Sequence, residues 1–244
     1  MVFGLRAVME VLRSDQEVER LYVQKGISND VVLPELLERA RTRRVPTQRV
    51  PPEALNRMTR KNHQGVVCFV ALISYASLEN VIAETYAAGR DPFVLLLDRI
   101  TDVRNFGAIA RSAEGAGVDA LVIPEKGGAR IGSDALKTSA GALTHLPVCR
   151  EPRLLRTVRT LQAQGIRVVA CTEHAAAPLW RADLRGPLAL IVGSEEDGVA
   201  SELIEQCDAA GKLPMRGRIG SLNVAVAAGI AAFEVVRQRE ASEQ

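Results

Sequence analysis

The stretch Phe93-Val94-Leu95-Leu96-Leu97-Asp98-Arg99-Ile100-Thr101-Asp102-Val103-Arg104-Asn105-Phe106-Gly107-Ala108-Ile109-Ala110-Arg111 decides the fold. Its first five residues form an unbroken apolar run, the pattern of a short strand covered on both faces. Its second half places Phe106, Ile109, Ala110 and Ala113 at helical spacing, which predicts a helix over 106–114 with Asn105 as its N-cap. Downstream, strands are expected at 120–123, 145–148, 167–171, 188–192 and 211–214. Helices are expected at 134–140, 152–164, 200–206 and 222–239. Short β-branched runs alternating with helices imply an α/β fold, a parallel sheet with helices on both faces.

Upstream the pattern is smaller and more mixed. Helices are expected at 4–13, 31–44 and 53–58. Strands are expected at 18–23, between Val45 and Val50, and at 66–73, which together make a small α/β domain. Residues 76–91 read as a linker built on a connecting helix over 77–88, closed by Gly89 and the break Asp91-Pro92.

The chain has 244 residues, 47% hydrophobic and 25% charged, with 19 Gly and 11 Pro, which excludes collagen-like, disordered and disulfide-scaffold classes. The apolar run at 224–233 is half the roughly 20 residues of a membrane span. Arg6 and Glu10 interrupt the start before a signal-peptide core can form. A soluble, cytoplasmic protein without a membrane partner is expected. Cys68, Cys149, Cys171 and Cys207 form no CxxC pair, and His63, His145 and His174 share no ligand-like spacing, so no metal site is expected.

The net charge of +2 hides a division, with 12 Lys/Arg against 8 Asp/Glu in residues 1–75 and 19 against 21 in the rest. Arg39, Arg41, Arg43, Arg44, Arg49, Arg57, Arg60 and Lys61 stand against the single acid Glu53. Such a field attracts a polyanion, although a solvated basic face has the same composition. With only nine aromatic residues, a bound RNA would be held through phosphate, ribose and shape rather than by base stacking.

In open α/β sheets ligands bind beyond the carboxyl ends of the strands. Three loops there are rich in polar groups and glycine. The first carries Asn105, Gly107 and Arg111; Gly107 and Arg111 share a helix face, so Arg111 is expected to lie over the bare glycine and reach the helix start, a place for phosphate. The second is Gly193-Ser194-Glu195-Glu196-Asp197-Gly198, whose glycines allow close approach to a ligand. The third runs from Leu213 through Met215, Gly217 and Gly220 to Ser221, the expected cap of the last helix. Taken singly, each also reads as an ordinary cap or turn. Two glycine patterns are dismissed: Gly115 to Ala120 fits a dinucleotide fingerprint but closes a helix, and Gly127 to Ser133 has serine at the P-loop lysine position.

Together the three loops resemble the SpoU (TrmH-type) branch of the SPOUT superfamily, RNA ribose 2′-O-methyltransferases that use S-adenosyl-L-methionine (AdoMet). The motif N-x-G-x-x-x-R is met by Asn105, Gly107 and Arg111, and G-x-E-x-x-G by Gly193, Glu195 and Gly198. The third motif is met by Pro214-Met215, Gly217 and Ser221-Leu222-Asn223-Val224-Ala225. Asn62-His63-Gln64-Gly65-Val66 is similar to the ribosomal-protein-like substrate-binding domain of the 23S rRNA guanosine 2′-O-methyltransferases.

The resemblance implies an RNA substrate-binding domain at 1–75 and a SPOUT methyltransferase domain at 92–244 with a trefoil knot and a homodimer. It implies that Asn105, Arg111, Glu195, Ser221 and Asn223 are catalytic, and that Gly193, Glu195, Gly198, Leu213, Met215 and Leu222 hold AdoMet. RNA contacts are expected from Arg41, Arg43, Arg44, Arg60, Asn62, His63 and Gln64. The expected partner is ribosomal RNA, with a guanosine of 23S rRNA as target. Transfer RNA, or a non-catalytic ribosome-assembly role, are the alternatives.

Overall fold

The computed structural model describes residues 1–14, 16–27, 32–129 and 131–241. The chain divides into two compact units between Ser74 and Tyr75. The first holds β1 (Val2–Phe3), α1 (Leu5–Arg13), β2 (Val18–Gln24), α2 (Val32–Thr42), β3 (Thr47–Val50), α3 (Pro52–Met58) and β4 (Val66–Val70). Val31, expected to be helical, lies outside the described residues. The sheet order is β1-β4-β2-β3, antiparallel except for β2 beside β3.

Strand side chains alternate between faces, and this sheet uses both. Leu21 and Val23 of β2, with Val66 and Cys68 of β4, meet Leu5, Val8 and Leu12 of α1 and Leu36 of α2. Tyr22 and Val67, on the opposite face, meet Leu55 of α3.

The second unit contains β5 (Tyr75–Ala76), α4 (Leu78–Ala87), β6 (Phe93–Leu97), α5 (Val103–Gly115), β7 (Ala120–Pro124), α6 (Ser133–Thr138), β8 (Val148–Glu151), α7 (Leu154–Ala163), β9 (Arg167–Cys171), β10 (Leu188–Val192), α8 (Ser201–Gln206), β11 (Ala209–Gly211) and α9 (Val224–Glu240). Seven strands lie in the order β11-β9-β10-β6-β7-β8-β5, every pair parallel. Every residue of β6 and β10 is buried, as the unbroken apolar runs require. Val94, Leu96, Ala189 and Ile191 face one core with Leu78 and Ile82 of α4, Val158 and Leu161 of α7 and Leu203 of α8. On the other face the Arg239 guanidinium of α9 lies 5.3 Å over the Phe93 ring.

Three expectations shift. Residues 76–91 do not stand apart as a linker: α4 contributes Leu78 and Ile82 to the core of the second unit, and β5 is the edge strand beside β8. The strand expected at 145–148 falls at β8, because residues 142–146 close a tight turn through the amides of His145 and Leu146 on the Ala142 carbonyl. The last strand is Ala209–Gly211 instead of 211–214. It ends where a Cβ on Gly211 would come within 2.5 Å of the Leu179 backbone. No helix among the described residues is long and apolar enough to cross a membrane.

Candidate active site

Register brings the carboxyl ends of four strands level. Leu97 pairs with Val192, Val192 with Cys171, and Cys171 with Gly211. The segments that follow therefore leave one edge of the sheet side by side, although they are far apart in sequence.

Two of these loops are riveted by a cluster that the motifs do not include. Asp98 is buried, and its carboxylate accepts the Ala200 amide at 2.9 Å and the Arg99 guanidinium. Arg99 also reaches Asp197 at 2.9 Å and the Gly198 carbonyl at 3.0 Å. Its backbone sits at φ +56°, an uncommon conformation for a long side chain. The hydrogen bonds that Arg99 donates to the Asp98 carboxylate push its pKa above the ordinary guanidinium value. No local pattern distinguishes this Asp-Arg pair from a solvated one; its partners are about a hundred residues away.

The helix after β6 begins earlier than expected. Asp102, not Asn105, is its N-cap, accepting the amides of Arg104 at 2.7 Å and Asn105 at 2.9 Å. Those two amides hold the Asp102 carboxyl below the usual aspartate range. With the cap supplied three residues upstream, the Asn105 side chain is released to point at the neighbouring loop.

The last helix is corrected in the same sense. Asn223, not Ser221, caps α9, its Oδ1 accepting the amides of Ala225 and Val226. The Asn223 amide nitrogen is then free to donate. It gives hydrogen bonds to Asn105 Oδ1 at 3.0 Å and Glu195 Oε1 at 2.9 Å, while Asn105 Nδ2 donates to the same Glu195 oxygen at 2.7 Å. One residue from each of the three loops thus meets in a closed triangle. Because the helix amides fix which end of Asn223 is oxygen, every donor and acceptor in the triangle is assigned by its partners.

Two glycines have a different reason from the one expected. A Cβ on Gly107 would come within 2.6 Å of the Ala135 carbonyl and 2.8 Å of Thr138, so this glycine admits α6, not Arg111. A Cβ on Gly193 would lie 2.0 Å from the Gly198 backbone. The turn closes on itself, with Ser194 and Gly198 exchanging two backbone hydrogen bonds and Gly198 at φ +66°. Arg111 stands exposed on α5 and makes no hydrogen bond or ion pair among the described residues, so it is not part of its own chain's triangle.

Two clefts flank the triangle. One, of about 80 Å³, is lined by Leu213, Met215, Ser221 and Leu222 together with Thr172 and Glu173. The other, of about 220 Å³, is polar and includes Asn105, Glu195, Asp102 and Val224. Consecutive residues Leu222, Asn223 and Val224 thus touch the apolar cleft, the triangle and the polar cleft. Thr172 and Glu173 were missed in the sequence, although they follow β9 by the same carboxyl-end rule that located the other loops.

Residues 92–233 match the profile of the SpoU rRNA Methylase family, and residues 1–76 match that for RNA 2′-O ribose methyltransferase substrate binding. This chain belongs to the SpoU family. A SpoU relative, the 23S rRNA (guanosine-2′-O-)-methyltransferase of Vibrio parahaemolyticus, is 38% identical over 99% of this chain and 98% of its own. The crystal structure of the SpoU methyltransferase AviRb from Streptomyces viridochromogenes in complex with the cofactor AdoMet aligns with a TM-score of 0.62 at 28% identity. That alignment covers 98% of this chain and 90% of that one. The TrmH/SpoU tRNA modifying enzyme of A. aeolicus has a TM-score of 0.58 at 27% identity, covering 63% of this chain and 78% of that one.

The RNA contacts expected in the first unit of this SpoU protein divide into two groups. Arg41, Arg44, Arg60 and Asn62 have exposed side chains. Arg43 instead turns inward, its guanidinium donating to the carbonyls of Val11, Leu12, Ser14 and Gln16 and so closing the C-terminal end of α1. Gln64 Oε1 accepts the Leu5 amide at the start of α1. His63 Nδ1 accepts the Gly65 amide, and its Nε2 bonds Asn56 at 3.0 Å. Elsewhere, burial pushes the thiols of Cys68 and Cys171 up to about 11 and those of Cys149 and Cys207 up to about 12, which keeps all four protonated near neutrality. Among the described residues, no group of three or more His, Cys, Asp or Glu is placed to hold a metal.

Proposed function

We propose that this protein transfers a methyl group from AdoMet to the 2′-hydroxyl of a ribose in ribosomal RNA, with a guanosine of 23S rRNA as its target. The observation that carries this reading is the Asn105–Glu195–Asn223 triangle, which ties all three motif loops together between an apolar and a polar cleft.

The residues fit the cofactor. Leu213, Met215 and Leu222 offer an apolar wall, and the Glu173 carboxylate complements a cation. At about 80 Å³ the cleft takes only part of AdoMet, since small-molecule sites run to roughly 300–1,000 Å³. Nothing lies within 4 Å of a Cβ built on Gly217 or Gly220, so the space beside the loop backbone is open at those two positions. Bound AdoMet supplies a methyl group on a positively charged sulfur, which the ribose oxygen takes as its proton is lost.

The protein's part is orientation and charge. Holding the hydroxyl in line for transfer removes much of the barrier. Glu195 and Asn105 position the nucleotide, Asn223 and Ser221 fix the loop, and Arg111 binds the adjoining phosphate and stabilises negative charge developing on the 2′-oxygen. A guanidinium stays protonated, so the proton leaves to a phosphate oxygen or water.

A homodimer fits the exposed stripe Val226, Ile230 and Phe233 on α9, spaced one helical turn apart and 47–51% accessible. Arg111, outside the triangle of its own chain, is then available to a cleft of the other copy. The trefoil knot of SPOUT proteins belongs to this reading, as do work in the cytoplasm and RNA capture by Arg41, Arg44 and Arg60. Ribosomal RNA is favoured over transfer RNA because the tRNA enzyme aligns with only 63% of this chain.

Arg111→Lys keeps the charge and loses the planar fork. Single-turnover transfer to a 23S rRNA transcript should fall at least tenfold with AdoMet binding retained; near-normal transfer overturns the role. Mapping 2′-O-methyl groups on rRNA and tRNA with and without the protein tests the target.

A further inference from the structure

A cavity of about 730 Å³ in the second unit lies away from the triangle, between α4 and α7. Four arginines line it: Arg150 from β8, Arg153 at the start of α7, then Arg156 and Arg159, against two acids, Glu79 and Glu151. None of the four is in an ion pair among the described residues. Arg167, Arg185 and Arg237 of the same unit each bridge a carboxylate. Arg150 is held by the Tyr75 ring, 3.8 Å from its guanidinium carbon, and Arg159 donates to Gln206. Arg153 and Arg156 are exposed.

Their position argues against a stability role. Arg153 is the N-cap of α7 and makes no capping hydrogen bond, and no acid stands in the first turn. Cations there oppose the helix dipole, which favours acids at that end. Arginine suits phosphate through its bidentate fork. The series 153, 156, 159 advances about 4.5 Å per step along the helix, so it forms a rail for successive phosphates rather than a single anion pocket.

The rail also starts at the correct edge. β8 and β5 end at the same carboxyl edge of the sheet as β6, and β8 is separated from β6 only by β7. At about 4.8 Å per strand, β8 and β5 lie roughly 10 and 14 Å from β6 across the sheet, so an RNA strand leaving the Asn105 loop crosses that span and turns over the carboxyl edge to the face that α4 and α7 cover. Stacked nucleotides spaced about 3.4 Å apart cover that distance in three or four steps.

We infer that the groove between α4 and α7 is a second RNA contact, holding phosphates of the substrate strand that flanks the target nucleotide. This rests on the rRNA methyltransferase reading, and it adds a binding surface in the methylase unit itself.

The test is the double variant Arg153→Gln/Arg156→Gln in the full chain, with binding to a 23S rRNA transcript measured across a salt series. Losing two phosphate contacts at about 0.7 each lowers the slope of log K against log salt by about 1.4, or roughly 25-fold in affinity at 0.1 M salt. KM for RNA rises, while AdoMet affinity and kcat hold. Thermal stability holds or rises, because charges opposing the dipole are gone. Arg153→Lys/Arg156→Lys keeps most of the slope, and Arg185→Gln, which removes an arginine paired with Asp183, leaves it unchanged. An unchanged slope in the double Gln variant overturns the groove, whatever the methylation result. Wild-type protein that binds RNA with the predicted variant effect but transfers no methyl group overturns the methyltransferase reading and leaves the groove standing. Wild-type protein that binds no rRNA overturns both.

Discussion

Asn223 does two jobs with the two ends of one amide, and substitution separates them. Its oxygen caps α9 and its nitrogen donates to Asn105 and Glu195. Asn223→Ala removes both. The lost cap costs about 1 kcal/mol. The two solvent-facing hydrogen bonds, at the lower end of the usual range, add about 1 kcal/mol together. A loss of about 2 kcal/mol in a unit of this size lowers Tm by roughly 4–8 °C.

Asn223→Asp keeps the cap, because aspartate ranks with asparagine there. It loses both donors and sets a carboxylate against Glu195, a repulsion of about 1 kcal/mol at 4 Å in water. The helix dipole returns about 0.3–1 kcal/mol of that. The net loss for Asp is about 1–1.7 kcal/mol, so that variant should melt about 2–7 °C below wild type and above the Ala variant measured beside it, while both variants lose on the order of 100-fold in single-turnover methylation through misplaced groups. Thermal melts and methyl transfer from labelled AdoMet, measured on the same preparations, give both numbers. If Asp melts as low as Ala, the oxygen is not the stabilising end. If either variant keeps near-normal transfer, the triangle is not part of the site.

Arg43→Ala should destabilise the first unit by on the order of 2 kcal/mol, since it strips four carbonyls of a charged donor. Arg41→Gln with Arg44→Gln should weaken RNA binding and flatten its salt slope without lowering Tm; a reversed pattern in melts and filter binding would put the RNA contact on Arg43. Gly107→Ala gains about 1 kcal/mol of helix propensity but forces a methyl group onto the Ala135 carbonyl, an overpacking of about 1–3 kcal/mol. Chemical denaturation should show net loss, and a gain would mean that α6 yields. The raised thiol pKa values make stability fall in alkali: it is fully present below about pH 9, where the unfolded thiols are also neutral. It is then lost as pH climbs toward the folded values of about 11 and 12, by about 1.4 kcal/mol per unit for each thiol. Cys149→Ala should show a shallower decline between pH 9 and 10 than wild type in denaturant melts, and equal slopes would refute the linkage.

The buried strands were legible because burial on both faces leaves no choice of residue: β6, β9 and β10 fall on the apolar runs that predict them. The two-residue strands β1 and β5 carry no such signal, and their pairing is set by β4 and β8. β11, Ala-Ala-Gly, lacks β-branched residues and is held as a strand by its neighbour β9. The caps were misplaced for a common reason. Asp102, Asn105, Ser221 and Asn223 all have capping chemistry, and which one caps depends on where the loop leaves the sheet. All three members of the triangle, Asn105, Glu195 and Asn223, are legible from the motifs, but not that they hydrogen-bond to one another. Spacing makes Gly107 a seat for Arg111 and Gly193 an opening toward a ligand, whereas α6 fills the first and the Gly198 backbone the second, a fact that spacing along a sequence does not carry. The Asp98–Arg99–Asp197 rivet and the inward turn of Arg43 were invisible for the same reason.

The triangle joins Asn105 to a residue 118 positions later, and Glu195 to one 28 positions later. During synthesis the seven strands are all present once Gly211 has emerged, yet the closing corner still waits inside the translating ribosome. At about 5–20 residues per second the delay is on the order of a second. A nascent chain therefore owns all seven strands before it owns a working centre, and one released early at that point would lack both the corner that closes the site and the helix that covers one face of the sheet.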